Sequence, residues 1–174
     1  MRIEEKKQIE LAKKNIKDFE PLYLAYHEKI LRFCFQRMES KNEAYDVCSQ
    51  VFMKAMKAIG KYQDKGFSFG SWLYRIALNE ISTHYKKKTK VIKVDESFLF
   101  TLSEELEEKD EELPKRLKRE LETLKPIYIQ LIELRFWEGR PFKEIAEILN
   151  ISEVNAKAKT YRAIEKIKTK LIKN

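Results

Sequence analysis

Two sets of polar side chains recur along this chain at one spacing. Arg75, Asn79, Ser82 and Lys86 are separated by four, three and four residues, and so are Asn155, Lys159, Arg162 and Lys166. On a helix that spacing gathers each set on one face. Neither set contains a nucleophile–base pair or a group of metal ligands. Each offers amide hydrogen bonds and positive charge, which suits base edges and phosphates. Catalytic chemistry has little support elsewhere. Cys34, Cys48, His27 and His84 are too scattered to suggest a metal cluster, and no glycine-rich phosphate loop occurs. No enzyme activity, metal or cofactor is expected.

The second set lies in "ISEVNAKAKTYRAIEKIKTKL", Ile151 to Leu171. Ser152 reads as a helix N-cap, and Glu153 suits the positive end of the dipole. The periodicity predicts an apolar arc of Val154, Ala158, Tyr161, Ile164, Ile167 and Leu171, with Lys157 nearer to it than the other cations. The preceding "PFKEIAEILN" predicts a shorter helix from Pro141, burying Phe142, Ile145, Ala146 and Leu149. Only a turn at Asn150–Ser152 separates the two. This is the form of a helix-turn-helix, whose second helix enters the major groove N-terminus first. The small residues Asn155 and Ala156 would let the backbone approach base edges. Lys159 would reach bases or phosphates, and Arg162 and Lys166 the flanking phosphates. A structural helical hairpin with a solvated basic face has the same pattern.

The first set belongs to an N-terminal group of predicted helices. Phe19 to Met38 repeats apolar residues at Phe19, Leu22, Tyr23, Tyr26, Ile30, Phe33 and Cys34. A helix over about 41–59 buries Ala44, Val47, Cys48, Val51, Phe52, Ala55 and Ile59, and leaves Asp46, Ser49, Gln50 and Lys57 outside. A loop with Gly60, Gly66 and Gly70 carries Tyr62, Phe67 and Phe69. Ser71 reads as the cap of a third helix running to about Lys88, with Leu73, Ala77 and Ile81 opposite the polar set. Lys61, Tyr62 and that polar set suit single-stranded nucleic acid, with Lys86, Lys87 and Lys88 on adjacent phosphates. The same aromatics also suit a core.

The chain has 174 residues, 37% of them charged, with a formal net charge of +8 and only four Gly and four Pro. The expected class is all-α. Residues 1–90 hold 19 Lys and Arg against 11 Asp and Glu; residues 91–123 hold 6 against 11; residues 124–174 hold 11 against 6. Two basic lobes therefore flank an acidic stretch, in which Asp95 to Glu112 hold nine acids and one Lys. That stretch reads as a tether leading to a helix over about 114–124. Both lobes could touch one polyanion while the tether avoids it. No apolar run is long enough to cross a membrane, and the first residues lack a signal-peptide core. A cytoplasmic protein with reduced, buried thiols is expected.

"NEAYDVCSQVF", "FGSWLYRIALNEI…YKKK" and "PFKEIAEILNISEVNAKAKTYRAIEKIKTKL" occur in this order. Together they resemble the sigma-70 family of bacterial sigma factors, and the compact layout resembles its extracytoplasmic-function subgroup. The resemblance implies region 2 over residues 1–90, an acidic linker over 91–113, and region 4 over 114–174. It implies binding to core RNA polymerase through Asp46, Ser49, Gln50 and Phe52. It matches Arg75 and Asn79 to the −10 reader, and with the residue reading above melted −10 DNA falls to Lys61, Tyr62, Arg75, Asn79, Ser82, Lys86, Lys87 and Lys88. It matches Lys157, Lys159, Arg162 and Ala163 to the family's −35 pattern, and with the residue reading above duplex −35 DNA falls to Ser152, Asn155, Ala156, Lys157, Lys159, Arg162 and Lys166. It also implies an anti-sigma partner and no membrane insertion. Ser49-Gln50 stands where the family often has Gln-Glu, and Thr83 where it often has Asp. Two further classes fit the residues in part: a stand-alone helix-turn-helix regulator, and a helical adaptor that binds no DNA.

Overall fold

A computed structural model of the chain describes residues 2–85, 99, 102–103 and 112–173; all of their regular structure is helical. The chain divides into two compact units, Met1–Val91 and Ile92–Asn174.

The first unit contains helices α1 (Arg2–Lys14), α2 (Glu20–Phe35), α3 (Lys41–Ala58) and α4 (Phe69–Tyr85). A capping box opens α3: the Glu43 N–H donates to Ser40 Oγ, and the Ser40 N–H to Glu43 Oε2, each at 3.2 Å. From there the apolar repeat runs as expected. Ala44, Val47, Cys48, Val51, Phe52, Ala55 and Ile59 are all buried. Leu73, Ala77 and Ile81 of α4 are buried with them, as are Leu22, Ile30, Phe33 and Cys34 of α2. Cys34 and Cys48 are free, buried thiols. The Cys34 thiol is pushed well above its ordinary range, first by its hydrogen bond to Cys48 and then by burial.

Two features depart from the sequence reading. Helix α4 begins at Phe69, not after Ser71. Ser71 is buried in the first turn, its N–H donating to the Ser68 carbonyl at 3.0 Å. Drawing Phe69 into the core starts the helix early. The other is α1, whose charged sequence carries few apolar residues. It buries Ile9 and Ala12. Polar links hold it as well: Lys6 Nζ lies 2.8 Å from Asp64 Oδ2, and Gln8 Nε2 donates to the Asp18 carbonyl at 2.6 Å.

The second unit contains α5 (Leu113–Glu122), α6 (Pro126–Ile132), α7 (Phe142–Leu149) and α8 (Glu153–Lys173). A π-helical turn, Glu133–Trp137, continues α6. Leu113, Leu117 and Leu121 pack with Ile129 and Ile132 and with Ala163, Ile164, Ile167 and Leu171 of α8. Leu99 and Leu102 join this cluster. The acidic stretch therefore contributes two core side chains, which gain from burial. Polar contacts root the far end of α8. Lys170 Nζ lies 2.6 Å from Glu120 Oε2, and Arg116 donates to the Leu171 carbonyl.

Candidate nucleic-acid interface

The turn between α7 and α8 is built from local backbone chemistry. Asn150 adopts the left-handed conformation, with φ 53° and ψ 49°. Its N–H donates to the Ala146 carbonyl, and so does that of Ile151, at 3.0 Å. Asparagine tolerates this conformation better than most residues with a side chain, so the chain reverses within one residue. Ser152 Oγ then accepts from the Asn155 N–H at 3.2 Å and caps α8, as its position in the sequence suggests.

The buried side of α8 keeps only Ile164, Ile167 and Leu171 of the expected arc. It consists of Ala156, Thr160, Ala163, Ile164, Ile167 and Leu171. Thr160 can enter the core because its hydroxyl donates to the Ala156 carbonyl at 2.8 Å, leaving nothing polar unsatisfied. Val154 and Tyr161, expected inside, are exposed. Ala156 was expected at the DNA, but its side chain is 0% exposed. It is small because the helix packs closely there. Asn155, Lys157, Arg162 and Lys166 are exposed, and Lys159 is half-buried. Lys157, expected nearer the apolar arc than the other cations, is fully in the exposed set.

In the first unit, Asn79 and Ser82 of α4 are exposed and Arg75 is half-buried. Lys61 is exposed at the start of the loop. Lys86, Lys87 and Lys88 lie outside the described residues. Tyr62 requires a correction, because it is 9% exposed and is not an open platform for bases. Its ring meets Phe69 edge-on at 5.3 Å and Trp72 at 5.1 Å, with Lys13 Nζ of α1 at 5.8 Å from its centroid. Phe69 also meets Phe19 at 6.2 Å and Tyr26 at 5.8 Å. The loop aromatics are the edge of a core, stabilised by ring packing.

On α3, Asp46, Ser49 and Gln50 are exposed, as a docking surface requires. Phe52 is not. It is 2% exposed, with Tyr23 at 4.8 Å and His27 at 5.9 Å. It supports those rings from below instead of offering its own surface. Tyr23, which the apolar repeat places inside, is exposed, as are Leu24 and Met53. The expected docking residues therefore omit these apolar positions. Among the described residues, no group of three His, Cys, Asp or Glu could hold a metal, and no helix is long and apolar enough to cross a membrane.

A helical first unit with a polar α4 face, followed by a capped helix-turn-helix, defines a nucleic-acid-binding protein of the transcription-factor class. The chain belongs to the sigma-70 family, as an extracytoplasmic-function sigma factor. Residues 22–91 match the Sigma-70 region 2 model and residues 114–167 the Sigma-70, region 4 model. RNA polymerase sigma-H factor of Pseudomonas aeruginosa is 30% identical over 164 residues, covering 86% of this chain and 83% of that one. ECF RNA polymerase sigma factor SigW of Bacillus subtilis is 27% identical over 180 residues, covering 95% and 96%. ECF RNA polymerase sigma factor BldN of Streptomyces coelicolor is 26% identical over 151 residues, and the match spans 57% of its length. The solved structure of CnrH in complex with the cytosolic domain of CnrY aligns over 98% of both chains, with a TM-score of 0.67 and 20% identity, and shares the fold.

Proposed function

We propose that this chain binds bacterial core RNA polymerase and directs it to promoters. Helix α8 reads duplex −35 DNA, and the α4 face holds −10 DNA once its strands part. The carrying observation is that both family regions lie in one chain and each presents an outward polar face: Asn155, Arg162 and Lys166 on α8, Asn79 and Ser82 on α4. Asp46, Ser49 and Gln50 of α3 face the polymerase. Bond-making belongs to the polymerase; this chain supplies recognition and capture. It works in the cytoplasm, where its partner is. An anti-sigma protein that covers these surfaces is the expected regulator.

The acidic stretch has a role of its own in this reading. With nine acids against one Lys from Asp95 to Glu112, it mimics a nucleic-acid strand and enters a basic channel of the polymerase. Because Leu99 and Leu102 are buried, its acids must be tested without them. Replacing the acids by Gly and Ser, with both leucines kept, should impair initiation or escape while core binding stays normal. Unchanged yields of short and full-length RNA would remove this part.

Reconstituted transcription tests the whole reading. Core polymerase plus the chain should start RNA at specific sites on genomic DNA, and neither alone should. High-affinity duplex binding by the chain alone, without any effect on polymerase, would favour a stand-alone regulator. Absence of salt-sensitive DNA binding in every combination would favour an adaptor.

A further inference from the structure

Val154, Ala158 and Tyr161 form an uncovered apolar strip on α8. Val154 is 78% exposed and Tyr161 46%, with Ala158 half-buried between them. A single exposed valine needs no explanation. The surroundings of this strip call for one. At 100° per residue it lies on the side of α8 away from Ala156, Thr160, Ala163 and Ile167. Lys157 borders it on one flank; Arg162 and Asn155 border it on the other. An apolar centre between cationic flanks complements a groove with phosphate walls and apolar groups on its floor. The major groove of DNA has that character, because each thymine presents a C5-methyl group there.

Position narrows the choice to Val154. It is the second residue of α8, two past the Ser152 cap, at the end of the helix that enters a groove first. Its β-branched side chain is stiff, so little rotamer freedom is lost on contact. Tyr161 is held further back, its ring 5.8 Å from that of Phe142, over which the Arg135 guanidinium lies at 5.0 Å. Beyond Tyr161, exposed Glu165 repels phosphates and confines the contact to the first turns.

We propose that Val154 reads a thymine methyl group in the −35 DNA and thereby sets part of the promoter preference. This rests on the reading of α8 as the −35 helix. The test uses the full chain bound to core polymerase. Duplexes are selected from a pool randomised over the upstream element, and each thymine of the recovered site is replaced in turn by deoxyuridine, which lacks only the methyl group. One position should weaken binding about fourfold, the worth of one buried methyl-sized group. Val154→Ala should bind the thymine duplex about as weakly and show no difference at that position. Its thermal unfolding should be unchanged, since the side chain is exposed. A preferred sequence with no deoxyuridine effect, or the same effect in Val154→Ala, overturns the inference while leaving α8 as the reader. Failure to select any upstream sequence overturns both.

Discussion

Replacing Tyr62 by alanine removes a ring from the edge of the aromatic core. The magnitude follows from its surroundings. Truncating a buried aromatic side chain costs about 3–5 kcal/mol. Tyr62 is 9% exposed and sits at the rim, which favours the lower end, while its two edge-on pairs with Phe69 and Trp72 argue against a smaller loss. About 3 kcal/mol is expected. For a unit of this size the urea dependence is roughly 1 kcal/mol per M, so the midpoint should fall by about 3 M. Trp72 provides the signal, because its ring lies 5.1 Å from that of Tyr62. The chain has two tryptophans, so a Trp137→Phe background makes the fluorescence report the first unit alone. A midpoint shift under about 0.5 M would refute the packing and return Tyr62 to the list of open base platforms. The result governs how opening assays are read: a Tyr62→Ala defect in promoter melting counts as lost base capture only if the unit remains folded.

Arg162→Ala should weaken promoter binding by the polymerase complex and flatten its salt dependence by about one unit, measured by titration at several salt concentrations; an unchanged slope would leave Arg162 solvated. Asn150→Gly should be near neutral in thermal unfolding, whereas Asn150→Val should cost about 1–2 kcal/mol, because a β-branched residue fits the left-handed turn poorly. Equal stability of the two would contradict that turn. Cys34 and Cys48 should resist a thiol reagent such as DTNB near pH 8 in the native chain and both react in denaturant: Cys34 is buried and held in its protonated form, while Cys48, whose thiol the Cys34 hydrogen bond pulls down, is protected by its burial alone.

The helices of the first unit were legible where apolar residues alone decide burial. Every residue assigned to the α3 stripe is buried. The same rule failed on α8, where hydropathy cannot show that Thr160 satisfies its own hydroxyl and goes inside, or that Val154 stays in water. Helix α1 was missed because two apolar contacts and a few polar links hold a sequence that otherwise reads as charged. Phe52, which the apolar repeat places inside, was assigned to a docking surface by family resemblance, and Tyr62 to a base platform by the aromatic composition of its loop, yet both are packed beneath those surfaces. An alignment of motifs marks which positions matter and does not separate a side chain that touches a partner from one that holds such a side chain in place. Asn79 and Ser82 on α4, and Asn155, Arg162 and Lys166 on α8, are exposed as their spacing suggests, while Arg75 and Lys159 of the same sets are half-buried.

The burial of Leu99 and Leu102 bears on how the molecule can be dissected. The region 4 match begins at residue 114, which invites a fragment cut there. Such a cut would remove three leucines, Leu99, Leu102 and Leu113, from the cluster around Leu117 and Ile167. Each missing leucine is worth about 2–5 kcal/mol, against the roughly 5–15 kcal/mol that keep a whole domain folded. A fragment starting before Leu99 keeps its core; one starting at the family boundary reports on a weakened protein, and poor DNA binding by it would measure the cut and not the helix.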